Sequence, residues 1–544
     1  MDITVKEQTD VLVIGAGLTG LRAALAAARL GVSVTVLSKG PRCSAGVMGF
    51  NAAVGREDDP ELYWRDIQVS GQGLSDPALA RVLAVRSSVE AAFLESLGLI
   101  LDKTEDGHYD LLQPLGCSVP RLVHRGRVTG AEAEQLFLRI LRDAHVSVRF
   151  DTEVLELLSD GEQIAGVLAI EAREKLVCYP AGAVVLAAGG CGALYPVTTY
   201  PTGIRGDAYA LAARAGAVLT DMEFMQFEPC CLTAPASLIG KGISTTMLHA
   251  GGRLINACGH DFLPDYFPHL ASVQKGELAR AIFAEKKKCG GKDVLYDLTA
   301  LSADELEQHC LWTKELRQQG LDPLRHLLPV APAAHTFLGG VKTDSQCRTS
   351  LRGLFAAGEA MGGLHGANRL GGCAGAETFV FGAVAGENAA RFPARDRSDI
   401  AAAAVSLAEE SLRRLCTGDS TDFEAAEAAV CQLRNSAAEN LSLIRRADGL
   451  AKAKKQAAEV SALGSRLRCR NPQELALKNG LCSMALTMEM IAAASELRKE
   501  SRGVFFREDH PTLDSRCQAN IQVHLRNGEI AVAYAQAEKG GYDA

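Results

Sequence analysis

Residues 11–20 of this 544-residue chain read VLVIGAGLTG, and they decide its fold. The apolar run 11–14 is typical of a central parallel strand, and the alanine- and leucine-rich residues 21–30 predict a helix. Gly31 then caps the helix, and residues 32–37 read as a second strand. The segment therefore predicts a βαβ unit that carries G-x-G-x-x-G at its first turn.

The three glycines of this turn have separate roles in a dinucleotide site. Gly15 permits the tight turn, Gly17 lets backbone N–H groups approach a pyrophosphate, and Gly20 lets the helix pack on the strand. The helix N-terminus adds partial positive charge that favours phosphate. The second strand ends in Ser38 and Lys39, and this lysine suits neither an NAD ribose nor the usual FAD carboxylate pattern. The turn alone leaves the dinucleotide open.

The composition is that of an ordinary globular protein, with 47% hydrophobic and 22% charged residues. At roughly 100–200 residues per domain, the length suggests about two to four domains. The formal net charge is −8, and no block of Lys and Arg indicates a nucleic-acid partner. We expect no membrane span, because no run of about 18 uncharged apolar residues occurs. The first residues also lack the apolar core of a secretory signal.

The chain contains 16 cysteines, but the only close pair is Cys230-Cys231 and no Cys-x-x-Cys occurs. This spacing argues against an iron–sulfur cluster or a zinc site within the chain, so we predict no metal site. In a large chain without a signal, we expect reduced thiols and a cytoplasmic location.

Several later blocks of sequence resemble those of one family. They are 202–203 (TG), 206–210 (GDAYA), 221–227 (DMEFMQF), 334–341 (AHTFLGGV), 353–359 (GLFAAGE), 364–371 (LHGANRLG) and 498–503 (RKESRG). Together with the Ser38-Lys39 ending, they resemble the flavoprotein subunits of succinate dehydrogenase and fumarate reductase, and L-aspartate oxidase. The blocks follow the order of this family from about residue 8 to 515, and several are long and specific.

The resemblance implies an FAD-dependent oxidoreductase, in which flavin performs the redox step while the protein orients the substrate. Residues 184–190 agree with this, because they read as a buried strand that runs into a glycine turn. Residues 354–359 form a third strand end, where Glu359 would accept hydrogen bonds from ribityl hydroxyls. The residues expected to bind FAD are Gly15, Gly17, Gly20, Ser38, Lys39, Gly189, Gly190, Asp207, Glu359 and Gly371.

The layout of the family implies an α/β protein, with a Rossmann-like FAD-binding domain, an inserted capping domain and a C-terminal helical bundle. The predicted parts are the FAD-binding domain at 1–225 and 338–400, the capping or substrate domain at 226–337, the helical domain at 401–505 and a tail at 506–544.

Local signals add detail to the last two parts. Residues 398–415 and 422–447 read as helices, with Ser398 and Asp422 as N-caps. In the tail, the runs 521–525 and 530–534 flank an Asn-Gly pair and predict a β-hairpin.

The chain lacks the His that carries covalent FAD in the family, where it lies in a Ser-His-Thr sequence after the second strand. Residues 42–47 read RCSAGV instead. We therefore predict FAD that is bound non-covalently, with a thiol bond to Cys43 as a remote alternative. The family's Ser-Asn-Ser, which lies beside the flavin ring, is also changed, to GCAG at 372–375.

His335 and Arg369 match two positions at which the family binds a substrate carboxylate. The planar guanidinium of Arg369 can hold one carboxylate through two hydrogen bonds, and His335 can add a donor or a charge. The resemblance implies that a hydride passes between a substrate carbon and flavin N5.

Two catalytic positions depart from the family. Glu228 stands where the family has a His that contacts a second substrate carboxylate, and it would repel that group by roughly 1 kcal/mol or more. Lys275 aligns with the Arg that is proposed to transfer the proton, and a lysine can also do this. Arg280 is the fallback. Glu228 could instead pair with Lys275 and leave the pocket neutral.

We therefore expect a small substrate with one carboxylate, rather than plain succinate or fumarate. Its other end would be neutral or cationic, because that half of the pocket is acidic and thiol-rich, at Glu228, Cys230 and Cys231. Two alternatives stay open: an amine oxidase like L-aspartate oxidase, or a flavin electron-relay subunit of a larger redox complex. In each case, electrons leave to oxygen, a soluble acceptor, or an iron–sulfur or other redox partner subunit.

Overall fold

The computed structural model describes residues 1–40, 44–201, 203–269, 273–393 and 395–535. Cys43 and Thr202 lie outside the described residues. The α/β class is confirmed: a Rossmann-like sheet carries an inserted capping unit, and helices follow it.

The described strands are, in chain order, β1 (Ile3–Val5), β2 (Thr9–Ile14), β3 (Val34–Leu37), β4 (Gly49–Asn51), β5 (Leu111–Leu112), β6 (Leu122–His124), β7 (Ser147–Arg149), β8 (Thr152–Ser159), β9 (Ile164–Glu171), β10 (Lys175–Leu186), β11 (Leu219–Thr220), β12 (Met225–Leu232), β13 (Arg253–Ile255), β14 (Val294–Asp297), β15 (Leu328–Phe337), β16 (Gly340–Lys342), β17 (Leu354–Ala356), β18 (Met361–Gly362), β19 (Ile521–Arg526) and β20 (Glu529–Tyr534).

The described α-helices are α1 (Leu18–Ala28), α2 (Pro60–Ser70), α3 (Pro77–Ser96), α4 (Thr129–Asp143), α5 (Asp207–Arg214), α6 (Leu263–Tyr266), α7 (Lys275–Lys288), α8 (Ala303–His309), α9 (Thr313–Gln318), α10 (Cys373–Ala390), α11 (Arg397–Cys416), α12 (Phe423–Asn440), α13 (Ala447–Arg466) and α14 (Pro472–Leu497).

The central sheet is built around β10, its longest strand. The order is β7-β3-β2-β10-β9-β8, with β1 and β17 also paired to β10. Strands β7, β3, β2, β10 and β17 run parallel, so their carboxyl ends meet at one edge. The predicted βαβ unit, β2-α1-β3, is therefore confirmed at the centre of this sheet.

Helix α1 packs closely against α10 on one face of the sheet. A Cβ atom on Gly386 of α10 would lie 2.1 Å from the carbonyl oxygen of Ala23, and one on Gly382 would lie 2.8 Å from that of Thr19. The two helices approach this closely because α1 offers alanines and α10 offers glycines at the contact. Residues that precede the capping unit in the chain and residues that follow it therefore pack in one core.

The capping unit has its own antiparallel sheet, in the order β12-β15-β14-β13, and its own apolar core with α6 to α9. Along the chain, the first of these strands is β12 and the last is β15, and these two strands connect the unit to the FAD-binding part. We propose to keep 226–337 as the capping domain, because a separate core is what defines a domain.

The helical part differs from its prediction in two places. Helix α11 packs on the β8–β10 face of the central sheet, where Ile400, Ala404 and Ala408 join its apolar cluster, whereas α12, α13 and α14 pack together. The long predicted helix 422–447 ends at Asn440, because Leu441 and Leu443 leave it to enter the core.

One of the two predicted N-caps is wrong. Ser398 lies inside α11, which begins at Arg397 after Asp396. Asp422 is confirmed, since its carboxylate accepts a hydrogen bond from the Ala425 amide at 3.0 Å.

Helix α14 is long and apolar enough to cross a membrane by length and composition alone. However, 72% of its most apolar window is buried inside the protein, as in a core helix of a globular domain.

The predicted hairpin is confirmed as β19 and β20, with Asn527 and Gly528 at positive φ in the turn. It extends a sheet of order β18-β16-β11-β19-β20. Nearby, fully buried Arg498 donates to Glu223 at 2.6 Å and to Glu500 at 2.9 Å. Two of the quoted sequence blocks, 221–227 and 498–503, therefore meet through a buried ion pair.

Candidate functional site

The first half of the site is the edge where the parallel strands end. The Gly15 amide donates to the Leu37 carbonyl at 2.8 Å, which joins the ends of β2 and β3. The Ala187 amide donates to Ile14, and the Ala357 amide donates to Leu186. This edge, with the N-terminus of α1 above it, is where an open α/β sheet binds its ligand.

The glycines of the first turn are required by close contacts. Gly15 has a φ of +111°, and a Cβ there would lie 2.2 Å from the Ala187 carbonyl oxygen. A Cβ on Gly20 would lie 1.8 Å from the Gly15 carbonyl oxygen. Gly17 precedes α1 and gives it no side-chain cap, although Ser44 accepts a hydrogen bond from the Leu18 amide at 3.1 Å. The turn therefore leaves no room for a side chain at Gly15 or Gly20.

Lys39 and Asp207 face each other at the end of β3. The Lys39 Nζ atom lies 2.6 Å from Asp207 Oδ2, so the carboxylate neutralises the unexpected lysine. Asp207 Oδ1 is buried and has no hydrogen-bond partner among the described residues. Ser38 is occupied locally, since its hydroxyl donates to the Gly40 carbonyl at 3.2 Å. A free, buried carboxylate oxygen is suited to accept a hydroxyl of a bound ligand.

Gly189, Gly190 and Glu359 lie together beyond β10 and β17. A Cβ on Gly190 would lie 2.6 Å from the Glu359 carboxyl carbon, so only glycine leaves room for this side chain. Glu359 accepts hydrogen bonds from the Tyr200 hydroxyl and, at 2.8 Å, from the Phe337 amide. Burial raises the pKa of Glu359 to about 8, which favours its protonated form at neutral pH. The bonds from Tyr200 and Phe337 both go to Oε1, which leaves Oε2 as the carboxyl oxygen for a hydroxyl of a ligand.

Gly371 lies just before Gly372, the N-cap of α10. A Cβ there would lie 2.6 Å from Pro114 Cβ, and its carbonyl accepts from Asn51 Nδ2 at 2.8 Å. The turn at Gly372, with a φ of +78°, then starts α10.

The second half of the site is a charged cluster between the capping unit and the FAD-binding part. Glu228 comes from β12, Lys275 is the first residue of α7, and Arg369 precedes α10. The Lys275 Nζ atom donates to Glu228 Oε2 at 2.5 Å. Burial works to raise the pKa of Glu228, but the charges of Lys275 and Arg369 and the hydrogen bond from Lys275 hold it below its usual value. The pairing that the sequence left open is therefore present.

His335 enters the cluster from a bulge in β15. Gln226 pairs with Thr336 and Phe227 pairs with Ala334, so His335 is the extra residue between them. Its Nε2 atom lies 3.5 Å from Glu228 Oε2, and its Nδ1 atom lies 2.9 Å from the Thr199 hydroxyl. Burial, with the charges of Lys275 and Arg369 and against that of Glu228, lowers the pKa of His335 to about 3. His335 is thus neutral at neutral pH.

Arg369 is buried but incompletely paired. Its Nη1 atom donates to the Leu370 carbonyl at 3.0 Å, while its Nε atom has no partner among the described residues. The backbone at Arg369 is held by Gln226, whose Nε2 atom donates to the Arg369 carbonyl at 3.2 Å. Gln226 also reaches Asn368, whose amide donates to Gln274 at 2.8 Å. The Arg369 guanidinium, held in this way and with its Nε atom unpaired among the described residues, can bind an acidic group of a ligand.

The other residues predicted near the pocket divide into two groups. Cys230 and Cys231 follow Glu228 on β12 and are buried: the Cys231 Sγ atom lies 3.8 Å from the Glu228 carbonyl oxygen, whereas Cys230 packs in the apolar core of the capping unit. The fallback residue Arg280 lies further along α7, where it donates to the Gly503 carbonyl at 3.0 Å and stacks on Phe506. The structure brings Lys275, and not Arg280, to Glu228.

Sequence reasoning missed Thr199 and Tyr200, which orient His335 and Glu359. Neither belongs to a recognisable motif, and both are far from their partners along the chain. Gln226 and Asn368 lie within quoted blocks, which was a signal that their hydrogen bonds matter.

Comparison with known proteins agrees with this architecture. Residues 10–374 match the family described as FAD binding domain, and residues 431–538 match the one described as fumarate reductase flavoprotein C-term. One subunit of the fumarate reductase (CoM/CoB) of Methanothermobacter marburgensis is 31% identical over 93% of this chain and 95% of its own. L-aspartate oxidase of Agrobacterium fabrum is 34% identical over 93% and 92%. The structure of E. coli quinol fumarate reductase FrdA has a TM-score of 0.89 at 27% identity, covering 98% of this chain and 97% of that one.

Proposed function

Since the chain belongs to the fumarate reductase flavoprotein family and is an FAD-dependent oxidoreductase, we propose that its substrate is a small organic acid with a single carboxylate. The reaction is a hydride transfer between a substrate carbon and flavin N5, in the direction of dehydrogenation or its reverse. The observation that carries this proposal is the ion pair between Glu228 and Lys275, which leaves Arg369 as the charge to be balanced.

The residues at the sheet edge fit FAD. The α1 N-terminus and the glycines at 15, 17 and 20 suit the pyrophosphate, and the free Asp207 Oδ1 and the Glu359 carboxyl suit hydroxyls of the ribose and ribityl chain. When bound, FAD accepts or donates the hydride at N5. We further propose that it is held without a covalent bond, because the attachment His is missing from 42–47.

Acid precipitation tests the non-covalent prediction directly. We expect FAD to remain in the supernatant and the pellet to be colourless, since glycine turns and hydrogen bonds hold it only in the folded protein. A pellet that keeps flavin absorbance would contradict this.

The charges around the pocket favour one carboxylate. Glu228 and Lys275 neutralise each other, and His335 is neutral, so Arg369 binds one carboxylate through charge-assisted hydrogen bonds from its planar fork. A second carboxylate near Glu228 would find no unpaired positive charge, because Lys275 is already bound to the Glu228 carboxylate. The far end of the substrate is therefore neutral or cationic.

Lys275 is the group that exchanges a proton with the substrate. Its Nζ atom is held by Glu228 at 2.5 Å, and its side chain, on the first residue of helix α7, is 16% exposed. Glu228 orients the amine and keeps its charge balanced, while Thr199 fixes the His335 ring beside it. Proton transfer by a positioned side chain of this kind contributes typically about 10²–10⁴-fold to a rate.

The electron acceptor and the location are proposed from the chain itself. No cluster-binding motif occurs in the sequence, so a separate iron–sulfur or other redox partner subunit, a soluble acceptor or oxygen takes the electrons. The relative from M. marburgensis is named as one subunit of its enzyme, which supports a partner. A cytoplasmic location fits the cysteines of the described chain, which are free thiols.

Anaerobic stopped-flow spectroscopy of the holoenzyme tests the proposal. The oxidised flavin is mixed with saturated monocarboxylates, succinate, hydroxy acids and amino acids, and the reduced flavin is mixed with unsaturated acids. We expect rapid bleaching or recovery with a monocarboxylate. Fast reaction with succinate or fumarate would contradict the substrate class. In a separate aerobic assay, hydrogen peroxide release with L-aspartate would favour the amine oxidase, and reaction with none of these acids would favour the electron relay.

A further inference from the structure

A pair of thiols lies on the capping unit, at the far end of α7 from the pocket. Cys258 follows β13 and Cys289 is the C-cap of α7, and their Sγ atoms lie 2.9 Å apart. A disulfide bond is about 2.05 Å long, so the sulfur atoms need to approach by only about 0.9 Å to form one. Cys258 is exposed and Cys289 is half-buried, so small reagents can reach them.

The two cysteines are held together by contacts that do not involve sulfur. Asn256 Nδ2 donates to Glu285 Oε2 at 2.8 Å, and Asn256 Oδ1 accepts from the Cys258 amide at 3.0 Å. Tyr266 donates to the other oxygen of Glu285 at 2.8 Å. Glu285 is buried in the last turn of α7, so these bonds fix the β13 turn against the helix end. The approach of the sulfurs is therefore built into the fold.

The other described cysteines lack this arrangement. Most are buried in apolar clusters, where a thiol acts as a small hydrophobic side chain. Cys431 on α12 is exposed, as Cys258 is, but no sulfur atom of another described cysteine lies in hydrogen-bond contact with it. It is thus a natural reference for exposure without pairing.

We propose that Cys258 and Cys289 form a thiol–disulfide exchange site that a low-molecular-weight disulfide, such as glutathione disulfide, oxidises. One thiolate attacks a sulfur of the external disulfide and releases the first small thiol. The second thiolate attacks the resulting mixed disulfide, releases the second small thiol and closes the Cys258–Cys289 bond. Two protein thiols are oxidised, the external disulfide is reduced to two thiols, and the protons of the protein thiols pass to the departing thiolates.

The hydrogen bond with Cys289 raises the pKa of Cys258, an effect that the nearby Lys292 opposes. Either thiol can attack the external disulfide first, because both reach solvent and the other sulfur lies 2.9 Å away to resolve the mixed disulfide. The bond then ties the β13 turn to the helix whose first residue is Lys275, and thiols of the cell reverse it, as expected of a reversible disulfide in a reducing compartment.

The test uses the full-length holoenzyme incubated with glutathione disulfide, followed by alkylation and peptide mass spectrometry. We expect a linked peptide that joins Cys258 and Cys289, which dithiothreitol cleaves. In the Cys258→Ser variant, Cys289 should carry one glutathione instead, whereas Cys431→Ser should still form the link. The test does not depend on which acid the enzyme uses.

Two results would overturn the proposal. One is separate glutathione adducts on both cysteines of the wild-type protein, because a resolving thiol at this distance would displace them. The other is that both thiols stay free under conditions that modify Cys431.

Discussion

The edge of the central sheet and the charged pocket beside it limit their residues in different ways. At the edge, backbone packing dictates the residue, since a Cβ on Gly15 or Gly20 would lie about 2 Å from a carbonyl oxygen. In the pocket, Glu228 and Lys275 differ from the family pattern, yet they restore charge balance by pairing with each other. The backbone at the edge therefore limits cofactor binding by shape, and we propose that exchangeable charges set the choice of substrate in the pocket.

The largest effect is expected from a methyl group at the edge. Gly20→Ala places a Cβ 1.8 Å from the Gly15 carbonyl oxygen, so α1 must move away from β2. We expect purified protein with little or no bound FAD, measured by the ratio of flavin to protein absorbance. Gly40→Ala is the matched control, because a Cβ there meets no atom within 4 Å. A Gly20→Ala protein with full flavin content would break the shape half of the comparison.

Removing the amine of Lys275 should have the next largest effect. Lys275→Met keeps the length of the side chain but loses the proton donor, so we expect flavin reduction or reoxidation by substrate to slow by about 10²–10⁴-fold. Single-turnover stopped-flow rates give this value. Lys286→Met, on the last turn of the same helix, should leave the rate unchanged. If the two variants behave alike, Lys275 is not the proton donor.

Arg369→Ala should weaken the binding of the substrate, in addition to any effect on the rate of the chemical step. Loss of charge-assisted hydrogen bonds of about 1.5–3 kcal/mol corresponds to roughly 10- to 100-fold in the dissociation constant. A spectral titration of the oxidised flavin with the substrate acid measures it. Arg391→Ala, at the other end of α10, is the control. An unchanged constant would mean that the carboxylate binds elsewhere.

The smallest expected effect is a change in the preference of the enzyme between dicarboxylates and monocarboxylates. Glu228→Gln keeps the shape of the side chain but frees Lys275, which can then attract a second carboxylate. A repulsion of roughly 1 kcal/mol corresponds to about a fivefold change, so we expect the dicarboxylate-to-monocarboxylate rate ratio to rise by about that factor. A ratio that falls or stays constant would argue against charge as the determinant of selectivity.

The edge could be predicted from the sequence because its signals are local. The strand, the glycine turn and the helix lie within residues 11–37. The atoms that exclude a Cβ at Gly15 and Gly20 belong to Ala187, just after the neighbouring β10, and to Gly15 itself. The hairpin at Asn527 and Gly528 was predictable for the same reason. Such signals identify the fold before any long-range contact is known.

The pocket could be predicted only in part, because its geometry depends on distant contacts. Glu228 and Lys275 are 47 positions apart, and the sequence left their pairing open. Thr199 and His335 are 136 positions apart and meet through a bulge that no pattern signals. The docking of α11 on the central sheet was missed likewise, since an apolar stripe does not say which surface it covers.

The most direct test of the account is one matched pair of substrates. Fumarate and its monoamide have the same carbon skeleton and differ in the charge at one end, so they isolate the role of Glu228. We expect the reduced flavin of the wild-type enzyme to be reoxidised faster by the monoamide, by at least about fivefold at equal subsaturating concentrations. Faster reoxidation by fumarate would contradict a pocket built for one carboxylate.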